Sequence, residues 1–260
     1  MNAAADLITL EGAFLVERAL RAGLELTRVA CVGAREDWIR GLLGGRGGMP
    51  PEIEVLPERE LAAIAGYPFH RGVLALARRP AETPLAELAG RFSCVAAKDG
   101  AAEARTRATL LAVPELRDPE NLGSIFRSAA ALGCDALLLG PGGPDPLSRR
   151  VLRVSMGASL DLPWARLGGP SGLAVFENLG FRSAACVLDP EARDLRGYSR
   201  PPRLVIVLGD EASGLSSGWM EACEERLTLP MRGGTDSLNV AVAAALFAFV
   251  LNLSAKPIPK

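Results

Sequence analysis

Histidine is almost missing from this chain of 260 residues, which has only His70. A single imidazole leaves Ser-His-Asp catalysis, Cys-His catalysis with a second histidine, and most histidine-based metal sites without their parts, unless His70 itself serves. In "GYPFHRGVLAL" it stands just before a strand, a place that suits a capping or surface residue. Lysine is nearly as scarce, with Lys98, Lys256 and Lys260 alone, so arginine carries the positive charge. A planar guanidinium suits phosphate and stacked bases, and a genome biased toward Arg and Ala codons explains the same excess. The net charge of −1 provides no whole-molecule basic field, though a local patch remains possible.

The five cysteines are far apart and form no C-x-x-C pair, so neither a disulfide framework nor a zinc site is expected. In surroundings such as "ALGCDALLL" they read as small buried hydrophobes of a reducing compartment. The start, "MNAAADLITLEGAF", lacks the basic region and long apolar segment of a secretory signal, and a cytoplasmic protein is expected. The longest apolar run, Val240 to Leu251, falls short of the roughly 20 residues that span a bilayer. It is expected to be a buried helix with no membrane role. Both nucleotide fingerprints, G-x-x-x-x-G-K-[ST] and G-x-G-x-x-G, are missing, which argues against a P-loop NTPase or a dinucleotide-binding enzyme.

What is present is the alternation of an α/β protein, with 49% hydrophobic and 23% charged residues. Residues 1–80 read as a small α/β unit: helices near Glu11–Ala22, Glu36–Leu43 and Glu58–Ala65, and strands near Arg28–Val32, Ile53–Leu56 and Gly72–Ala77. The glycine-rich stretch from Gly44 to Pro51 reads as a loop. Residues 81–91 read as a linker, and residues 92–260 as a second unit in which a mostly parallel sheet is covered by helices.

Three stretches of the second unit sit where strands end, the place where open α/β sheets hold ligands. In "RDPENLGSIFRSAAALG" (117–133), a helix capped by Asn121 would put Gly123 and Arg127 on one face, beside exposed backbone that suits a phosphate or ribose. From spacing alone, an ordinary capped amphipathic helix with a solvated arginine is the better explanation. The second, "LGDEASGLS" (208–216), puts Gly209, Asp210 and Glu211 after the apolar run Leu204–Val207. The third, "LPMRGGTDSLNVAVAAALFAF" (229–249), runs from a strand through a Gly-Gly turn to a helix capped by Asp236 or Ser237, with Asn239 in its first turn.

Taken together and in this order, "NLGSIFR", "GDEASGL" and "LPMRGGTDSLNV" resemble the three motifs of the SpoU (TrmH) family of RNA ribose 2'-O-methyltransferases, of the SPOUT class. "LSRRVLRVSMGASLDLPW" is similar to the segment that usually lies between them. "LEGAFLVERALRAG" and "HRGVLAL" are similar to the small RNA substrate-binding domain that many members carry. The resemblance implies a knotted (trefoil) parallel-sheet methyltransferase domain and a homodimer. It implies that S-adenosylmethionine is held by Leu208, Gly209, Leu229, Met231 and Leu238, with no metal. Asn121, Arg127, Glu211, Ser237 and Asn239 become the catalytic and RNA-facing group, Glu211 orienting Arg127 or another site group and Asp210 having no role. Ala212 stands where the family often has glycine, a departure that touches the backbone of that turn.

The implied reaction is methyl transfer to a ribose 2'-hydroxyl of structured RNA, ribosomal more than transfer RNA. A transfer RNA methyltransferase and a noncatalytic RNA-binding or ribosome-assembly factor on the same fold are the alternatives. A guanidinium resists deprotonation, so the expected work of Arg127 is to bind RNA phosphate and stabilise the forming oxyanion, with Ser237 or the phosphate as proton acceptor.

Overall fold

The computed structural model describes residues 6–45, 49–93, 107–210, 213–231 and 237–252. The chain divides into two compact units: Met1–Ala81 together with Asp145–Asp161, and Glu82–Pro144 together with Leu162–Lys260. The first unit thus takes in a stretch that the sequence reading assigned to the second.

In the first unit β1 (Leu7–Glu11), α1 (Ala13–Arg21), β2 (Leu26–Cys31), α2 (Gly33–Leu43), β3 (Glu52–Val55), α3 (Glu58–Ala65) and β4 (Val73–Arg78) follow in chain order. The sheet runs β1-β4-β2-β3, with β4 antiparallel to both neighbours and β3 parallel to β2. Strand β1 corrects an expectation: Glu11, expected to open a helix, closes a strand. Ile8 and Leu10 are buried two apart, the period of a half-buried strand. Gly12, at φ 98, then turns the chain into α1, whose Leu15, Val16, Ala19 and Leu20 bury one face.

The second unit opens with α4 (Leu85–Gly90), inside the stretch read as a linker. The prolines that suggested a linker end at Pro84, which fixes an extended N-cap, and Leu88 and Ala89 are buried in the second unit's core. Then come β5 (Ala108–Val113), α5 (Pro119–Ala131) and β6 (Ala136–Leu139), and after them α6 (Arg149–Val154) and α7 (Ala158–Asp161) of the first unit. The second unit resumes with β7 (Trp164–Arg166), α8 (Ala174–Glu177), β8 (Arg182–Cys186), β9 (Arg193–Asp194), β10 (Arg203–Leu208), α9 (Ser217–Glu221), β11 (Glu225–Thr228) and α10 (Val240–Asn252).

Its seven strands are ordered β7-β6-β5-β10-β8-β11-β9 and every pairing is parallel. Every residue of β5 and β6 is buried, as near-continuous apolar strands require when helices cover both faces. Phe92, Phe176 and Phe181 fill one side of the core, their rings edge-on at 5.5 and 5.8 Å. Helix α10 packs along α5, burying Ala244, Phe247, Ala248 and Leu251. It is not buried all round as expected, since Val242 and Phe249 are about half exposed.

Among the described residues no helix is long and apolar enough to cross a membrane. Cys31 and Cys134 are buried, Cys186 and Cys223 half-buried, and all four are free thiols; Cys94 lies outside the described residues. His70 is exposed, with Nδ1 2.8 Å from Oε1 of Glu58, the first residue of α3.

Candidate active site

Because the sheet is parallel, β5, β10, β8 and β11 release their chains at one edge, where backbone groups without a ladder partner are available to a ligand. At the end of β10 the chain folds back at once. Asp210 N–H donates to Gly214 O at 3.0 Å and Gly214 N–H to Asp210 O at 2.8 Å. A Cβ on Gly209 would lie 2.1 Å from the carbonyl carbon of Gly214, so only glycine lets the strand end press against this turn. Ser216 N–H donates to Glu115 Oε2 at 2.9 Å, tying the turn to the loop after β5.

The motif helix α5 begins earlier than expected. Asp118 is the cap, its carboxylate accepting from Glu120 N–H at 2.8 Å, and Pro119 occupies the first helical position. Asn121 is relieved of capping and is buried in the first turn, 8% exposed. Helix α10 is likewise capped by a different residue: Asn239 Oδ1 accepts from Ala241 N–H at 3.0 Å and Val242 N–H at 3.2 Å, leaving Ser237 exposed. Asn239 Nδ2 donates to Asn121 Oδ1 at 2.9 Å, so the first and third motif stretches meet side chain to side chain.

Between these loops lies a cavity of about 590 Å³, within the range of small-molecule and cofactor sites. Leu208, Gly209, Leu229, Met231 and Leu238, the five residues singled out for the cofactor, all line it, and so does Ser237. Sequence reasoning missed much of the remaining wall: Cys186 at the end of β8 with Val187 to Asp189 after it, Met220 of α9, Arg226 of β11, and Val240, Ala243 and Phe247 of α10. The signal for the first group was available, since "CVLD" also follows a buried strand and ends in an acid. Asp210 is a correction: set aside as having no role, it closes the turn through its backbone and lines the cavity.

The polar groups of the wall are few. Asp189 and Arg226 stand as an ion pair at 3.9 Å, and Asp210 adds a second carboxylate. Burial pushes the Cys186 thiol well up from its ordinary range, which keeps it neutral and apolar in character. Such a wall suits a ligand with an apolar or aromatic body and a few hydrogen-bonding groups.

Arg127 lies on the exposed face of α5, makes no ion pair among the described residues and does not line the cavity. Gly123, expected on the same face, is buried. Glu211, Ala212 and Asp236 lie outside the described residues. Among the described residues no group of three or more His, Cys, Asp or Glu side chains could hold a metal ion.

The profile of the SpoU rRNA Methylase family matches residues 108–249, from the first residue of β5 into α10. The chain belongs to this family. An uncharacterised tRNA/rRNA methyltransferase of Mycobacterium bovis is 39% identical over 194 residues, 72% of this chain and 61% of its own length. The chain thus spans less than two thirds of that relative. The 23S rRNA (guanosine-2'-O-)-methyltransferase RlmB of Acinetobacter baylyi is 28% identical over 72% of each chain. Among solved structures, an AdoMet-bound rRNA methyltransferase from Sinorhizobium meliloti has a TM-score of 0.80, is 24% identical and covers 98% of this chain and 90% of its own. That likeness is one of fold, and with the family match it makes the second unit a SPOUT-class α/β domain.

Proposed function

We propose that this SpoU protein transfers a methyl group from S-adenosylmethionine to a ribose 2'-hydroxyl of RNA, with ribosomal RNA as the target. The observation that carries the reading is that the second and third motif stretches share one cavity wall, Leu208 and Gly209 from one and Leu229, Met231 and Leu238 from the other, while the first stretch joins the third through Asn121 and Asn239. The cavity fits the cofactor chemically: an apolar wall for an adenine, unladdered backbone at strand ends for its ring nitrogens, and Asp189, Asp210 and Arg226 for hydroxyl, ammonium and carboxylate groups. When bound, S-adenosylmethionine supplies an electrophilic methyl on a sulfonium.

The chain's own residues then have to hold the ribose in line and stabilise the charge that develops on its oxygen, and alignment alone can supply on the order of 7 to 11 kcal/mol. Arg127, exposed on α5, is assigned to RNA phosphate and the forming oxyanion, with Ser237 or the phosphate itself taking the proton. Glu211 is assigned to orienting this group. The ribosomal target is supported by the family's description and by the name of the Acinetobacter relative.

Two further parts belong to the same reading. The first unit is assigned to RNA recognition. Its Arg35, Arg71 and His70 line a groove of about 420 Å³ at the ends of β2 and β3, where phosphates can be met by guanidinium groups. The protein is read as a cytoplasmic homodimer: Val242 and Phe249, seven residues apart on one face of α10, leave an apolar stripe that a second copy would cover. The trefoil knot is part of the proposal too, on the strength of the family to which residues 108–249 belong.

The test is transfer of radiolabelled methyl from S-adenosylmethionine to total RNA from a strain lacking this gene, with mapping of the product. Incorporation at a ribose 2'-oxygen that disappears in Arg127→Ala, with cofactor affinity retained, is the expected outcome. Binding of RNA without binding of S-adenosylmethionine would replace this reading by that of a noncatalytic assembly factor.

A further inference from the structure

Two guanidinium groups of the first unit are set in place with no acid to neutralise them. Arg35, in the first turn of α2, runs across Gly72, where a Cβ would lie 3.3 Å from its Cγ. Its guanidinium then rests over the ring of Trp38, three residues on in the same helix, 5.8 Å from the centroid. Arg71 is seated in the same manner: a Cβ on Gly12 would stand 3.1 Å from its Cδ, and its Nη1 donates to Glu11 O at 3.3 Å. Two glycines thus leave the room in which two long side chains are laid down, which lowers the entropy each would lose on meeting a ligand. Among the described residues no carboxylate pairs with either arginine; Glu36 is taken by Arg40 at 2.8 Å and Glu58 by His70 at 2.8 Å.

Both arginines open onto the groove of about 420 Å³ where β2 and β3 end and β4 begins. Leu56 and Pro57 give this groove an apolar side, and Gly33 and Ala34 bring backbone to it. Glu58 is the one carboxylate among its described lining residues, and His70 occupies it. The two guanidinium groups therefore leave the groove positive, and together they offer the several N–H donors that the oxygens of one phosphate take up. The volume lies toward the small end of ligand sites, which suits a single nucleotide. A base also needs a face to stack on, and the exposed guanidinium plane of Arg35, backed by Trp38, supplies one. A paired base inside a helix has both faces covered already, so the base that fits here is an unpaired one.

We propose that this groove takes one unpaired nucleotide of the RNA substrate, its phosphate between Arg35 and Arg71 and its base on the guanidinium plane of Arg35. The inference rests on the function proposed above for the identity of that RNA. Stacking and a phosphate contact carry little base preference, so the groove selects a single-stranded stretch rather than a sequence.

The experiment uses the full chain and a short, fluorescently labelled single-stranded RNA, read by anisotropy. Arg35→Gln and Arg71→Gln each weaken its binding by about tenfold or more, as the loss of a charge-assisted hydrogen bond should. Trp38→Leu, which removes the backing of Arg35 and touches no phosphate, weakens it by about twofold to fivefold. The same strand annealed to its complement binds at least about tenfold more weakly than the free strand. In RNA methylation the KM for RNA rises in the same order of variants, while kcat and the Kd of S-adenosylmethionine stay within about twofold. Should Arg71→Gln fail to fold through loss of its bond to Glu11 O, Arg35→Gln and Trp38→Leu still decide. Unchanged affinity in the double variant of Arg35→Gln and Arg71→Gln overturns the proposal, as does equal binding of strand and duplex. A nucleoside 5'-monophosphate that competes on equal terms with the strand also overturns it, since a free nucleotide would then be the occupant. A chain that binds the strand through these residues and methylates no RNA overturns the proposed function instead and leaves the occupant of the groove as stated.

Discussion

Asn239 binds in two directions at once: its carbonyl oxygen caps α10 and its amide nitrogen donates to Asn121 Oδ1 on α5. Asn239→Ala therefore removes a cap, a loss of about 1 kcal/mol, and with it the hydrogen bond to Asn121, a further loss of about 0.5–1.5 kcal/mol. Urea unfolding should show a deficit of roughly 1.5–2.5 kcal/mol. A variant as stable as the wild type would mean that water replaces these bonds.

Gly209→Ala is expected to act on the cofactor rather than on RNA. The new methyl collides with the backbone of Gly214 and Leu215, and the turn that walls the cavity must move. Calorimetric titration with S-adenosylmethionine should show affinity reduced by more than about tenfold, since a shifted wall loses several contacts together. Unchanged affinity would remove this turn from the cofactor site.

The pH dependence of stability follows from Glu11. Burial pushes its carboxyl up, but the hydrogen bonds from Tyr67 and Arg149 and the charges of Arg149 and Arg153 outweigh burial and hold it below the ordinary 4.5. Its folded pKa is thus lower than its unfolded one, so its stabilisation is complete above the unfolded value and is lost as pH falls through the folded one. Thermal melts between about pH 6 and pH 3 should fall more steeply for the wild type than for Glu11→Gln. Parallel curves would show that the carboxylate is not the group being titrated.

Met156 follows α6 at φ 52, the one non-glycine residue with positive φ among those described, and the residue is 38% exposed. The left-handed conformation costs an L-residue about 1–2 kcal/mol, and Gly at this place pays only the entropy of its freer unfolded chain. Met156→Gly should gain about 0.5–1 kcal/mol in chemical denaturation. A loss would show that the methionine side chain is held by something other than solvent.

Val242→Asp and Phe249→Asp place a charge on the apolar stripe of α10 without touching its buried side. Light scattering should report a dimer for the wild type and a monomer for the pair of changes. A dimer that survives both would move the interface to another face.

The sequence was most legible where two signals agreed. Buried parallel strands such as "ATLLAV" and "LVIVLG" declared themselves through continuous apolar runs bounded by turn residues, and the motif order placed the cavity wall before any coordinates. It was least legible where one residue type serves two purposes. Asn121, Asp118, Ser237 and Asn239 can all cap a helix, and only the packing of α10 on α5 decides that Asp118 and Asn239 do so. The capture of 145–161 by the first unit was invisible because ion pairs between residues 66 to 143 positions apart leave no local pattern.

The sheet order puts β10 between β5 and β8, with Ala108 of β5 opposite Arg203 of β10. A ribosome lengthening the chain by about 5–20 residues each second therefore exposes β5 with one hydrogen-bonding edge vacant for several seconds, until its central neighbour is synthesised. An unpaired strand as apolar as "ATLLAV" is an invitation to aggregate, so nascent chains of this protein should depend on chaperones during that interval more than the finished molecule does.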